Sequence, residues 1–276
     1  MTGGEAIRLA IAKLRDAGVP GPERDARWLF AEVAGVARDR VTLVLQNPID
    51  EATSYLFFNA VEARASRKPM SHILGGRDFY GRWFTVTPDV LDPRPETEML
   101  VAEALKAPFT RVMDLGTGSG CILVTLLAER PEAKGVGIDI SGEAVLVAGE
   151  NAARHGVADR IVLPMSEWWD DTGGRYDLIV SNPPYIAAVE MAGLAPELAH
   201  EPRIALTDEA DGLSAYRAII DGLPDHLTPG ARVLFEVGPT QADAVRARLS
   251  DVGIVETFVV QDLDGRDRVV GGQWPG

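Results

Sequence analysis

Asn182-Pro183-Pro184-Tyr185 sets an amide, two prolines and an aromatic ring at the end of an apolar run, Tyr176-Asp-Leu-Ile-Val-Ser181. The run reads as a buried strand. Two consecutive prolines donate no ladder hydrogen bonds and hold the backbone extended, so the strand must end in a stiff loop. The Asn182 side-chain oxygen and the Pro183 carbonyl are then two acceptors matched to the two N–H bonds of a planar –NH2 group. Tyr185, fixed by the same stiff loop of Pro183 and Pro184, can stack on the face of that group. Such a loop grips an amide or amino nitrogen and turns its remaining face toward an electrophile.

A second group of residues suggests what brings the electrophile. Val112-Met-Asp-Leu-Gly116-Thr117-Gly118-Ser119-Gly120 reads as a strand, a glycine loop and a helix start. Glycines let a ligand approach the backbone, and the first amides of the helix face it. The spacing is G-x-G-x-G. A dinucleotide fingerprint needs its third glycine where Cys121 stands, and the loop has no lysine for a P-loop. The next strand ends at Gly137-Ile-Asp139, where a carboxylate can accept both hydroxyls of a ribose. Ser166-Glu-Trp168-Trp169 follows a third strand and offers an aromatic neighbour for a base, from either tryptophan. All these positions fall at the carboxyl edge of one parallel sheet, where such folds bind ligands. His72, His155, His200 and His226 are scattered, so no metal site is expected; Cys121 reads as a small core residue.

The elements that must hold these groups follow from periodicity. Strands are expected near 111–115, 134–139, 161–164, 176–181, 231–237, 255–262 and 267–273, with helices over 119–130, 141–155, 211–227 and 240–252. This alternation implies an α/β fold, a Rossmann-like, seven-stranded and mostly parallel sheet. Only Asp262-Leu-Asp-Gly265 separates the last two strands, so the edge is antiparallel. Residues 5–66 read as helices, including one from Ala52 to Arg67 whose apolar share holds Tyr55, Leu56, Phe58, Ala60 and Val61. A hairpin is expected at 79–86 with its turn at Gly81-Arg82, then a helix from Glu96 to Lys106. The expected division is a small helical domain at 1–75, a hairpin linker at 76–92 and the catalytic domain at 93–276.

The formal net charge is −14, which opposes stable binding to nucleic acid, since that rests on many Lys and Arg contacts with phosphate. Arg64, Arg67, Lys68, Arg77 and Arg82 form the best candidate basic cluster. No apolar run has the length of a membrane span, and Met-Thr-Gly-Gly-Glu-Ala does not resemble a signal peptide, so a cytoplasmic location is expected.

Asp-Leu-Gly-Thr-Gly-Ser-Gly, Gly-Ile-Asp139 and Asn-Pro-Pro-Tyr together resemble class I S-adenosylmethionine-dependent methyltransferases acting on nitrogen. Pro69-Met-Ser-His-Ile-Leu-Gly75, Phe79-Tyr-Gly81, Val90-Leu-Asp-Pro-Arg94-Pro-Glu-Thr-Glu98, Glu201-Pro-Arg-Ile-Ala-Leu206 and Asp264-Gly-Arg-Asp-Arg268 narrow the resemblance to the HemK/PrmC family. It covers nearly the whole chain. The resemblance implies methyl transfer from S-adenosylmethionine, leaving S-adenosylhomocysteine, to the side-chain nitrogen of the glutamine in the Gly-Gly-Gln motif of class I peptide-chain release factors, with the small helical domain helping to dock them. It implies that Gly116 to Gly120 hold the methionine part of the cofactor, Asp139 its ribose and Trp168 its adenine. Asn182, which also borders the cofactor, would take the glutamine with Pro183, Pro184 and Tyr185, and Arg94, Glu96 and Thr97 would lie over the pocket. Asp92 departs from the apolar residue expected before Pro-Arg-Pro. Alternatives are a glutamine of a ribosomal protein or the N6 amine of adenine in nucleic acid. The chain's own Gly271-Gly-Gln273 reads as coincidence within an apolar strand.

Overall fold

The computed structural model describes residues 1–170 and 173–276, and the chain divides into two compact units, Met1–Gly76 with Ala195–His200, and Arg77–Leu194 with Glu201–Gly276.

The first unit contains α1 (Gly3–Asp16), α2 (Pro22–Val33), α3 (Val41–Val44), α4 (Glu51–Ala65) and α5 (Met70–Leu74). Thr2 and Glu5 form a capping box at the start of α1. Ala6, Ala10 and Leu14 lie on one face of α1 and bury it against Leu29 and Phe30 of α2 and Phe57 and Val61 of α4. The Phe30 and Phe57 rings meet edge to face at 5.5 Å. Under that core Arg64 donates to the fully buried Asp25 at 2.8 Å and also pairs with Glu197. The α4 face differs from the expected one. Phe57 is the buried ring, while Tyr55 and Leu56 are exposed, because the helix is apolar on more than the stripe its core can cover.

A hairpin follows, β1 (Gly76–Phe79) and β2 (Arg82–Thr85), of which all but Gly76 belongs to the second unit. Its turn is Tyr80-Gly81, one residue earlier than expected, and both residues have positive φ as a tight hairpin turn demands. There follow α6 (Glu98–Ala104), β3 (Arg111–Leu115), α7 (Cys121–Glu129), β4 (Lys134–Ile138), α8 (Gly142–Arg154), β5 (Ile161–Val162), β6 (Tyr176–Ser181), α9 (Ser214–His226), β7 (Leu227–Glu236), α10 (Ala242–Asp251), β8 (Val255–Gln261) and β9 (Asp267–Gln273). The start of the expected Glu96 helix is a 3-10 turn over Pro95–Thr97. Strand β7 begins earlier than expected because Leu227 already pairs with Tyr176, with a bulge before Leu178.

Among the described residues the sheet runs β5-β4-β3-β6-β7-β9-β8. It is parallel from β5 to β7, and β9 is antiparallel to both of its neighbours. Helices cover both faces. α7 is buried along almost its whole length, which explains why Cys121-Ile-Leu-Val-Thr-Leu-Leu127 carries no polar stripe. Between β6 and α9 the chain makes short 3-10 turns over Ala188–Gly193, Pro196–His200 and Arg203–Ala205.

The Gly271-Gly272-Gln273 triplet is bound into β9, between β7 and β8. A Cβ on Gly271 would sit 2.5 Å from Phe258 Cζ and 2.6 Å from Leu234 Cδ2, and one on Gly272 would sit 2.4 Å from Ile254 Cγ2. These glycines are therefore packing requirements. Gly271→Ala should destabilise the protein by roughly 1–3 kcal/mol through overpacking, read as a fall of several degrees in Tm by calorimetry; an unchanged Tm would mean that Phe258 yields freely.

Candidate active site

Strand register assembles the site. Leu115 of β3 pairs with Ile138 of β4 on one side and Ser181 of β6 on the other. The residues that follow, Gly116, Asp139 and Asn182, therefore leave the sheet at one level. The Ser181 hydroxyl donates to the Leu115 carbonyl at 2.6 Å and ties the two strand ends together. Gly116 and Thr117 both donate their backbone N–H to the Ile138 carbonyl, so the glycine loop is folded back against β4.

Asp139 closes this loop. One carboxylate oxygen accepts from Gly118 N at 2.9 Å and the other from Ser141 N at 3.0 Å. Burial raises its pKa above the ordinary value, against the pull of these amides. Each oxygen keeps a lone pair free for a further donor. Below the loop, the Thr117 hydroxyl donates to the fully buried Asp114 at 2.8 Å. Asn151 of α8, also fully buried, donates to the carbonyls of Ser119 and Thr85 and accepts from Thr85 N, fixing the loop and β2 from behind.

These groups wall a cavity of about 700 Å³ within the second unit. Gly116 to Ser119, Asp139, Trp168, Asn182 and Pro184 line it, with Arg94 and Thr97 on the loop before α6. Gly120 lies elsewhere: a Cβ there would meet Ala148 Cβ at 3.1 Å, so its place is the packing of α7 on α8. Trp168, with φ +44°, puts its ring edge 3.7 Å from where a Gly116 Cβ would stand. Trp169 instead donates to the Ala218 and Ile219 carbonyls and stacks on His226. The two tryptophans thus divide, one to the cavity and one to the core. Part of the loop that follows them, residues 171 and 172, lies outside the described residues.

Asn182 donates its amide to Thr97 Oγ1 at 3.3 Å, and its Oδ1 is buried with no hydrogen-bond partner. An orphaned acceptor of this kind costs stability until a donor arrives. Tyr185 is part-buried, and its carbonyl accepts from Gln241 Nε2. Burial, reinforced by Glu236, pushes its phenol up to about 12, so the ring stays neutral.

The loop before α6 is held by charge. Arg94 donates to both carboxylate oxygens of Glu201, at 2.6 and 2.8 Å, and Asp92 N donates to Glu201 as well. Burial opposes the Arg94 charge, yet Glu201 and Asp92 leave its pKa above the usual value. Asp92, the departure noted before Pro-Arg-Pro, is buried and receives Arg77 at 2.9 Å. Of the candidate basic cluster, Arg64, Arg67, Arg77 and Arg82 all sit in ion pairs, with Asp25, Glu197, Asp92 and Glu129. No cluster of metal-binding residues is found among the described residues.

The sequence reading did not single out Asp114, Asn151 or Glu236. Asp114 and Glu236 are carboxylates set inside apolar runs, Val112-Met-Asp114-Leu and Val233-Leu-Phe-Glu236-Val, and that was the available signal; Asn151 follows Glu150 on a helix and carried no such signal.

Comparison with known proteins gives a consistent pattern. Residues 5–75 match the model of the PrmC N-terminal domain, and residues 91–210 match the methyltransferase small domain. The release factor glutamine methyltransferase of Cereibacter sphaeroides is 50% identical over 276 residues, covering 100% of this chain and 99% of that protein. The protein of the same name from Caulobacter vibrioides is 42% identical over 94% of this chain and 91% of its own length. Among solved structures, a methyltransferase from Pyrococcus furiosus shares the fold, with a TM-score of 0.55 at 16% identity, over 83% of this chain and 100% of that one.

Asp114 gives the site a pH signature. Burial pushes its carboxyl up to about 7, against the Thr117 hydrogen bond. The folded state therefore favours the protonated acid. That contribution is complete below about pH 4, the unfolded value, and is lost as pH rises through about 7, at a cost of no more than about 4 kcal/mol. Glu236, pushed up to about 7 by burial, works in the same direction. Thermal stability should fall between about pH 4 and 7 and level off above that, and Asp114→Asn should remove about half of that slope in calorimetric scans. Identical slopes in the two proteins would mean that Asp114 is ionised throughout.

Proposed function

The chain belongs to the release factor glutamine methyltransferase family, and from that premise we propose that it transfers a methyl group from S-adenosylmethionine to the side-chain amide nitrogen of the glutamine in the Gly-Gly-Gln motif of class I release factors. The observation that carries this reading is that Asn182, whose buried Oδ1 has no hydrogen-bond partner, lines the same cavity as the glycine loop and Asp139.

The residues fit the donor. A cavity of about 700 Å³ lies within the usual range of roughly 300–1,000 Å³ for ligands of that size. Gly116, Thr117, Gly118 and Ser119 offer close backbone for the methionine part, with Gly120 starting the helix behind them. Asp139 has lone pairs left for two ribose hydroxyls, and Trp168 offers its ring to the adenine. When bound, S-adenosylmethionine supplies a methyl group on a sulfonium centre.

The chain's own residues supply orientation. A carboxamide nitrogen is a poor nucleophile because its lone pair is delocalised into the carbonyl. We assign Asn182 Oδ1 and the Pro183 carbonyl to the two N–H bonds of the glutamine, which turns the lone-pair face toward the donor. Pro184 keeps the loop extended, and Tyr185, neutral at any working pH, packs against the amide. Alignment of this kind lowers a barrier by roughly 7–11 kcal/mol in favourable cases. The two acceptors also stabilise the positive charge that grows on nitrogen as the sulfonium–carbon bond breaks, and the proton leaves afterwards to water.

The first unit is proposed to dock the release factor. Tyr55 and Leu56, exposed on α4, suit a protein partner. A cytoplasmic site of action belongs to the same proposal.

Radiolabel transfer from S-adenosylmethionine to purified release factor, ribosomal protein and DNA, side by side, tests the reading; label confined to the release factor is expected, and label only on another acceptor would overturn it. Asn182→Ala should lower kcat by roughly 10²-fold or more while the donor's Kd stays within a few-fold. Asp139→Ala should raise that Kd at least about ten-fold, a change of 1.4 kcal/mol; an unaltered Kd by calorimetry would remove Asp139 from the ribose.

A further inference from the structure

Gln241 lies between β7 and α10, at the head of that helix, and its side-chain amide is used at both ends. Nε2 donates to the Tyr185 carbonyl at 2.8 Å and to the Gly212 carbonyl at 3.1 Å, while Oε1 accepts from Gly238 N at 3.0 Å. A carbonyl only accepts and a backbone N–H only donates, so this set of partners admits one orientation of the amide. The Gln241 backbone N–H donates to the Gly238 carbonyl at 3.1 Å and closes the turn that presents the side chain. One residue thus joins the loop after β6, the loop before α9 and the loop after β7. The contact leaves no space for more: a Cβ on Gly212 would stand 2.4 Å from the Tyr185 oxygen and 2.8 Å from Gln241 Nε2.

The Tyr185 carbonyl is one half of a peptide unit. The other half, Ile186 N–H, donates to the Leu206 carbonyl at 3.0 Å. The C=O and N–H of a trans peptide point opposite ways, so Gln241 and Leu206 hold the Tyr185–Ile186 plane from both sides. That plane is where the Asn-Pro-Pro-Tyr loop ends. The loop begins at Ser181, which β6 pairs with Leu115 on one side and Phe235 on the other. Asn182 and Pro184, the loop residues that line the cavity, lie between these two anchors. Prolines fix φ but leave ψ open, and they bring no N–H of their own to an anchor. Stiffness inside the loop therefore does not settle where its far end goes. The clamp on the Tyr185 carbonyl does.

We propose that Gln241 is a positioning residue for methyl transfer: it pins the far end of the Asn-Pro-Pro-Tyr loop, so that the loop keeps one placement when the acceptor enters. Gln241 is not among the residues that line the cavity, and it acts through the loop. The inference rests on the functional reading above, in which that loop grips the glutamine amide, and adds the residue that holds it.

Two variants test the clamp. Gln241→Glu has the same size and keeps an acceptor for Gly238 N, but it loses both donors. Gln241→Met keeps the apolar stem and loses all three side-chain bonds. Amide hydrogen exchange reads the clamp itself. Exchange at Ile186 should quicken about ten-fold in either variant, while Gly118, whose N–H is bonded to Asp139, should exchange as in the wild type. The single-turnover rate of methyl transfer to release factor, at saturating S-adenosylmethionine, reads the consequence. It should fall roughly ten-fold or more, with the KM for release factor and the Kd for S-adenosylmethionine each within about three-fold. A residue that only supported the fold would quicken exchange at both amides and weaken donor binding together with transfer, and that pattern would overturn the proposal. So would Ile186 exchange unchanged in both variants, or faster Ile186 exchange with the transfer rate unaltered. Absence of any transfer by the wild type would instead bring down the functional reading, and this inference with it, whatever the exchange rates show.

Discussion

Parallel pairing of β3 with β4 and β6 is the constraint on which the site depends. A parallel ladder fixes which residues leave the sheet together, and the register of Leu115 with Ile138 and Ser181 sends Gly116, Asp139 and Asn182 out at one edge. Residues up to sixty-six positions apart are then neighbours without any direct attraction between them. A slip of one residue in either pairing would turn every side chain of that strand to the opposite face. The buried faces on both sides of the sheet make such a slip very costly. Register is thus protected by the same apolar runs, Val112-Met113 and Leu178-Ile-Val180, that make the strands recognisable.

The loops that leave this edge have no apolar core of their own, and polar groups hold them. Asp139 takes the amides of Gly118 and Ser141, Asn151 takes both backbone groups of Thr85 and the carbonyl of Ser119, and Arg94 takes Glu201. Buried partners of this kind add modest net stability, but removing one of them leaves the other unsatisfied. They therefore specify one loop arrangement more than they strengthen the fold. Asp92 illustrates the point. An apolar residue there would pack, whereas Asp92 receives Arg77 and lends its backbone N–H to Glu201, tying β1 to the same charge cluster.

The strands, the mostly parallel sheet and its antiparallel edge were legible because each depends on a pattern that repeats within a few residues. The glycine loop, Asp139 and the Asn182 loop were legible as motifs, because each departs from the pattern around it. Errors fell where tertiary context decides. The hairpin turn lies at Tyr80-Gly81 because Tyr80 adopts positive φ, which a sequence does not display. Tyr55 and Leu56 were expected within the apolar share of α4, and Phe57 beside them is buried instead, since four consecutive apolar residues, 55–58, span every side of the helix and give no phase. The choice between Trp168 and Trp169 depended on His226 and two carbonyls of α9, some fifty residues away in sequence.

Asn182 marks the boundary between what a motif can encode and what a neighbourhood must add. The Asn-Pro-Pro-Tyr stretch encodes an amide on a stiff loop. It does not encode which end of the amide faces the cavity, because the two ends are alike in size and differ only in hydrogen bonding. In the structure the NH2 end meets Thr97, contributed by a loop 85 residues earlier in the chain. A stiff loop without it would hold the amide in place with its polarity undetermined. The orientation of the Asn182 amide therefore resides in the contact between two loops, and the charge cluster of Asp92, Arg94 and Glu201 anchors the loop that carries Thr97.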